Sequence, residues 1–189
     1  MRKVKMINRV SIDGYFASNN EMTGGMDWFV PDNSVDQATH NLVKSDTVIL
    51  GEATFRMFEA SWPPVLRDPN APKEMKALAQ ELTDMKKIVF SKDLASSEWA
   101  NTEFHNGDVA KVIKALKAED GSDILVLGSG TIVQQLANAG LMDEYIFIMT
   151  PVIAGAGKPL FKDVAQTNLK LLGTQRFDSG NVLLHYATR

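Results

Sequence analysis

The chain contains no cysteine. That excludes disulfides, thiolate zinc sites and cysteine nucleophiles, and it fits a reducing cytoplasm. An excess of one charge sign is also missing: 23 acidic and 20 basic side chains leave a net charge of −3. A protein held to nucleic acid by a general basic field is therefore not expected. No long apolar run is present. The most apolar stretch, residues 145–156, is interrupted by Thr150 and Pro151 and falls short of the ~20 residues of a membrane helix. The basic start leads into Asn8 and Arg9 instead of a signal-peptide core. His40, His105 and His185 lie far apart without metal-ligand spacing, so no metal site is expected. Internal repeats and low-complexity tracts are lacking as well.

What is there is an ordinary globular mix of 189 residues, 44 % hydrophobic and 23 % charged, enough for one domain spanning 1–189. Residues 3–16 are strand-like and end in the turn signal Asp13-Gly14. Ser34 with Gln37 forms a capping box opening a helix to about residue 44. The β-branched run Thr47-Val48-Ile49-Leu50, bounded by Gly51, suits a buried parallel strand. Thr54 can cap a short helix to about Glu59, and the four prolines within 62–72 argue against long regular structure. Residues 73–82 show helical spacing, and 87–91 read as a strand. Asp108 is a predicted N-cap for a helix to Leu116. Strand 124–127 runs into Gly128-Ser129-Gly130, followed by helix 131–139. Strand 145–152 and a hairpin, 169–177 with 182–186 around Asp178-Ser179-Gly180, complete the pattern. Strands alternating with helices predict an α/β fold, a mostly parallel sheet flanked by helices with an antiparallel C-terminal edge.

Ligands of such sheets sit beyond the carboxyl ends of the strands. Three loops there carry donors. Gly128-Ser129-Gly130-Thr131 leads a strand into a helix, where glycines admit close approach and the helix start offers unpaired amides. Gly51-Glu52-Ala53-Thr54 repeats the arrangement, and Ser91-Lys92 adds a hydroxyl and an ammonium. Each has a purely structural alternative: a tight turn, a capping threonine or a solvated bend. Together they fit a ligand with several phosphates, such as a dinucleotide. Neither the dinucleotide fingerprint nor a P-loop is present, because Val133, Val152 and Pro159 stand where those motifs need other residues.

Val10-Ser11-Ile12-Asp13-Gly14-Tyr15-Phe16-Ala17 resembles the "SLDGYIA" opening of the dihydrofolate-reductase-like family. Within it, the chain is most similar to the C-terminal reductase domain of the bifunctional riboflavin-biosynthesis deaminase/reductase. Residues 48–55 resemble that family's "xxxGRxTxE", residues 88–92 its "VVSK", and residues 125–131 the glycine turn before the last cofactor-facing helix. Gly140-Leu141-Met142-Asp143-Glu144, the run from Pro151 to Gly157, and Leu160-Phe161 match "GLVDE…PVxxGxGxxLF". The similarity extends in order over nearly the whole chain.

The resemblance implies a dihydrofolate-reductase-like fold and NADPH as cofactor. Carried over by position, Ala17, Gly51, Glu52, Ala53, Thr54, Ser91, Lys92, Gly128, Ser129, Gly130, Thr131 and Ile132 would hold it. Glu52 departs from the family's arginine beside the ribose phosphate, which opens the alternative of NADH. Hydride transfer to a small heterocycle is implied, with 5-amino-6-(5-phosphoribosylamino)uracil as the family-level substrate. The alternatives are a reductase of another heterocycle or carbonyl, or a non-catalytic nucleotide-binding module. The helix carboxylate of dihydrofolate reductases is displaced or absent here: its place falls at Val35, beside Asp36. Asp36 and Asp13 are the catalytic candidates, and Asp27 and Trp28 are expected at the substrate mouth. A homodimer is compatible with the resemblance, through strand 145–150 or the terminal hairpin. A membrane or nucleic-acid partner is not implied.

Overall fold

Burial alternates along Val4–Val10, so this strand, β1, feeds a core on each face: Val4, Met6 and Val10 enter one, Ile7 the other. The computed structural model describes residues Met1–Arg189 apart from Glu21. In chain order the further elements are β2 (Tyr15–Ala17), a 3-10 turn, α1 (Asn33–Leu42), β3 (Ser45–Gly51), α2 (Glu52–Arg67), α3 (Lys73–Asp84), β4 (Lys86–Phe90) and β5 (Thr102–His105). They continue with α4 (Val109–Ala118), β6 (Asp123–Leu127), α5 (Gly130–Asn138), β7 (Glu144–Met149), β8 (Lys158–Pro159), β9 (Leu169–Arg176) and β10 (Val182–Thr188).

Eight strands form one sheet in the order β5-β4-β3-β6-β1-β7-β10-β9, and β2 pairs with β8 in a separate ribbon. All neighbours from β5 through β7 run parallel, while β10 is antiparallel to both β7 and β9. The middle strands are apolar on both faces, as parallel strands covered by helices must be. α4 and α5 bring Ile113, Leu116, Val133 and Leu136 to the core that holds Met6. α1, α2 and α3 bring Val35, Phe55 and Leu82 to the opposite core. Buried Lys87 caps the end of α3, its Nζ donating to the carbonyls of Leu82, Thr83 and Met85 at 2.8–2.9 Å.

Several local expectations need correction. α1 is capped by Asp32, whose carboxylate accepts from the Ser34 amide at 2.8 Å, and not by a Ser34–Gln37 box. The cap lies two residues earlier, and its carboxylate accepts the amide of Ser34 itself, so the serine falls inside the first turn. α2 does not stop near Glu59: it continues through Pro63 and Pro64 to Arg67. Proline already holds a helical φ, and its cost is a missing donor. Phe58 and Trp62, one turn apart with rings 6.3 Å between centroids, pack on the core beneath and offset that cost. The first strand ends at Val10, and after the Ser11-to-Gly14 turn the chain reverses into β2. β5 and β8 are short, and their polar residues gave no strand pattern.

Candidate functional site

β3 and β6 are adjacent and parallel, so the helices that follow them start side by side. Gly51 is the N-cap of α2 and Ser129 the N-cap of α5, and neither helix receives a side-chain hydrogen bond there. α1 and α4 differ, being capped by Asp32 and Asp108. α3 opens uncapped too, after Pro72, but no glycine turn precedes it. The first-turn amides of α2 and α5 are thus left without a side-chain acceptor, and the positive ends of two helix dipoles lie together.

The two turns clasp each other. Ser129 Oγ accepts the Gly51 amide at 2.6 Å and lies 3.2 Å from Thr54 Oγ1. A Cβ on Gly51 would sit 2.9 Å from Ser129 Oγ, and one on Gly128 would sit 3.1 Å from Thr54 Oγ1. A Cβ on Gly130 would come within 2.5 Å of the Phe16 ring. Gly128 and Ser129 both have positive φ, 59° and 54°. For the serine this left-handed conformation costs on the order of 1 kcal/mol, which its two hydroxyl contacts offset. Asn8, buried on β1, reaches the Gly128 carbonyl at 3.5 Å and ties the turn to the central strand. Nothing in the sequence marked Asn8; a polar residue on an otherwise core-facing register of β1 was the available signal.

The third loop joins through Glu52. Its Oε2 accepts from Ser91 Oγ at 2.5 Å, and its Oε1 accepts from Arg56 Nε and a terminal guanidinium nitrogen at 3.0 and 2.8 Å. The Ser91 hydroxyl first, and the Arg56 guanidinium second, hold the Glu52 carboxyl below its ordinary range. Ser91 Oγ also accepts the amides of Asp93 and Leu94. Gly51, Glu52, Ala53, Thr54, Ser91, Gly128, Ser129 and Gly130 therefore form one connected edge, with Thr131 and Lys92 exposed on it and Ile132 buried beneath. Ala17, next to Phe16, lies in β2, where Gly157 approaches its carbonyl.

The expected acids fare differently. Asp13 accepts the amides of Ala154 and Gly155 at 2.9 and 2.8 Å, pinning the loop after β7. The Ser11 side chain most strongly, and then these amides, hold its carboxyl down at about 2. At neutral pH the Asp13 carboxylate is ionised and bound to those amides, which gives the Asp-Gly turn a structural reason. Asp36 is exposed and ion-paired with Arg9 at 2.6 Å. Asp27 accepts from Ser18 and from Thr23 Oγ1 within its own loop. Trp28 differs: its indole nitrogen is buried and has no partner among the described residues.

A mostly parallel sheet between two helical layers, closed by an antiparallel hairpin, with glycine turns at its carboxyl edge, is a dihydrofolate-reductase-like fold. Within that class the chain belongs to the RibD C-terminal domain family, whose model matches residues 2–183. It is 33 % identical over 187 residues to the uncharacterized protein YyaP of Bacillus subtilis (strain 168), covering 98 % of this chain and 94 % of that one. A Shewanella sp. PV-4 protein named for riboflavin biosynthesis has a similar crystal structure, with a TM-score of 0.73, 20 % identity and 99 % of each chain covered. The Thermotoga maritima diaminohydroxyphosphoribosylaminopyrimidine deaminase/5-amino-6-(5-phosphoribosylamino)uracil reductase superposes with a TM-score of 0.67 at 16 % identity. All of this chain is covered there, and 57 % of the larger protein.

Proposed function

We propose that this chain is a nicotinamide-dinucleotide-dependent reductase of a small heterocyclic substrate. The observation that carries the reading is the pair of side-chain-uncapped helix starts, α2 and α5, clasped by Ser129 at neighbouring strand ends. Backbone amides of Glu52, Ala53, Gly130 and Thr131 would hold a diphosphate there. Because the clasp exists before any ligand arrives, little reorganisation is required on binding. Thr54, Ala17, Ser91 and Lys92 complete the proposed cofactor surface, and Ile132, buried with its amide bonded to the Ser129 carbonyl, packs beneath it. When bound, the dinucleotide supplies a hydride to a C=N, C=C or C=O bond. Family membership supports NADPH as the first cofactor to test, and the name of the Thermotoga relative supports 5-amino-6-(5-phosphoribosylamino)uracil as the first substrate.

On the substrate side, the buried Trp28 indole N–H is a donor with no acceptor among the described residues and is the group proposed to meet a substrate oxygen or nitrogen. Asp27, beside it, shapes the mouth through its loop bonds. The setting proposed is cytoplasmic. In the same reading two copies associate through the terminal hairpin. β7 is paired on both sides, whereas β9 is a sheet edge with Leu171 and Leu172 exposed.

A second reading, a dinucleotide-binding module without catalysis, is favoured by one observation: Asp13, Asp27 and Asp36 are all engaged with protein partners. Calorimetric titration with NADPH and NADH, followed by nicotinamide absorbance on a panel of pyrimidines, pterins, carbonyls and quinones, separates the two. Turnover supports the reductase, and tight binding with no turnover on any compound supports the module. Failure of both dinucleotides to bind removes both readings.

A further inference from the structure

The residue that opens α2 is an acid fastened in place. Glu52 sits at the end of β3, between the clasped turns toward β6 and the Ser91 turn of β4. The Ser91 turn of β4 lies one strand spacing of ~4.8 Å from the end of β3, within reach of a ribose attached to a diphosphate held at the amides of α2 and α5. We propose that Glu52, positioned by Ser91, selects the nicotinamide dinucleotide with an unmodified ribose diol, NADH, over the one bearing a 2′-phosphate. The inference rests on the dinucleotide reading above and deepens it.

Three features carry it. The first is charge. Glu52 and Arg56 come from α2, and Lys92 and Asp93 follow β4, so the acids and bases around this point cancel. A 2′-phosphate brings close to two negative charges and meets no net side-chain charge, with a carboxylate at its centre, so only the start of α2 favours it.

The second is the supply of donors. Both Nε and one terminal nitrogen of Arg56 are committed to Glu52 Oε1. The Ser91 hydroxyl proton is committed to Glu52 Oε2, and the same oxygen accepts two amides. Ser91 therefore has no donor left for a phosphate; its part is to aim Glu52.

The third is the acceptor that remains. A carboxylate offers about four acceptor positions. Arg56 takes two on Oε1 and Ser91 takes one on Oε2, which leaves one on Oε2 for a single hydroxyl. An acidic residue accepting from a ribose hydroxyl is the arrangement that suits the unphosphorylated coenzyme.

The test is calorimetric titration of the full chain with NADH and NADPH at fixed ionic strength. Wild type, Glu52→Gln, Glu52→Arg and Ser91→Ala are compared, with the unfolding midpoint of each recorded. Wild type should bind NADH about tenfold more tightly than NADPH, or better. Glu52→Gln keeps the shape and should bring the two affinities together, chiefly by improving NADPH. Glu52→Arg should reverse the order. Ser91→Ala leaves the charge but releases the side chain, and should narrow the preference partway. Equal affinities or an NADPH preference in wild type overturns the selection and leaves the dinucleotide reading standing. An unchanged preference in Glu52→Gln overturns the role of Glu52, and binding of neither coenzyme overturns both readings.

Discussion

Asp13 joins the Ser11-to-Gly14 turn to the loop after β7 through two backbone amides, and its charge is what those amides hold. Its folded value, about 2, lies below the ordinary 3.8. The ionised form is therefore favoured by the fold. Its stabilisation is complete above about pH 4 and is lost as pH falls through about 2. Asp13→Asn should melt at a lower temperature than wild type at pH 6, and the gap should close toward pH 2. Thermal unfolding across that range checks this; a gap of the same size at both ends contradicts the clamp. The Asp13-Gly14 signal was visible in the sequence, but its meaning was not. A turn aspartate looks the same whether it donates a proton or binds amides brought in from the other end of the chain, as Ala154 and Gly155 are.

At the scale of elements, the clasp between α2 and α5 can be opened with one atom. Ser129→Ala removes the acceptor of the Gly51 amide and should cost roughly 1–2 kcal/mol, with coenzyme affinity falling severalfold. Ser129→Gly loses the same bond but relieves a positive φ, so it should melt above Ser129→Ala. Differential scanning calorimetry with titration reads both quantities; Ser129→Ala matching wild type in each would mean that the two turns are independent. Both glycine turns could be read from the chain, because a strand running into a glycine and then a helix is a local pattern. Their meeting could not, since it depends on β3 and β6 being neighbours despite the elements between them. The same contrast holds elsewhere. Asp108 was identifiable as the cap of α4 because cap and helix are contiguous. The passage of α2 through Pro63 and Pro64 was not, because the packing that stabilises it comes from residues far along the chain.

On the scale of the whole molecule, one edge of the sheet ends in the short strand β5, whose Glu103 is paired with Lys86 and with His105. The other ends in β9, eight residues long, with Leu171 51 % exposed. A long edge strand with apolar side chains invites a partner unless something covers it. Self-association of the proposed kind predicts that Leu171→Glu shifts the protein toward monomer in sedimentation equilibrium, with its unfolding midpoint nearly unchanged at low concentration. A wild-type chain that sediments as a monomer at all concentrations rules the association out.

The place of β1 has a further consequence. This strand is made first, yet it lies in the interior of the sheet, and both of its neighbours, β6 and β7, are encoded in the last half of the chain. During synthesis Val4, Met6 and Ile7 emerge long before Ile124 or Ile146 exists to pair with them. The nascent polypeptide must keep an apolar ribbon out of wrong company until β7 has been made. Acquisition of the native state is accordingly a late and slow event, and the interval before it is when a chaperone would have most to hold.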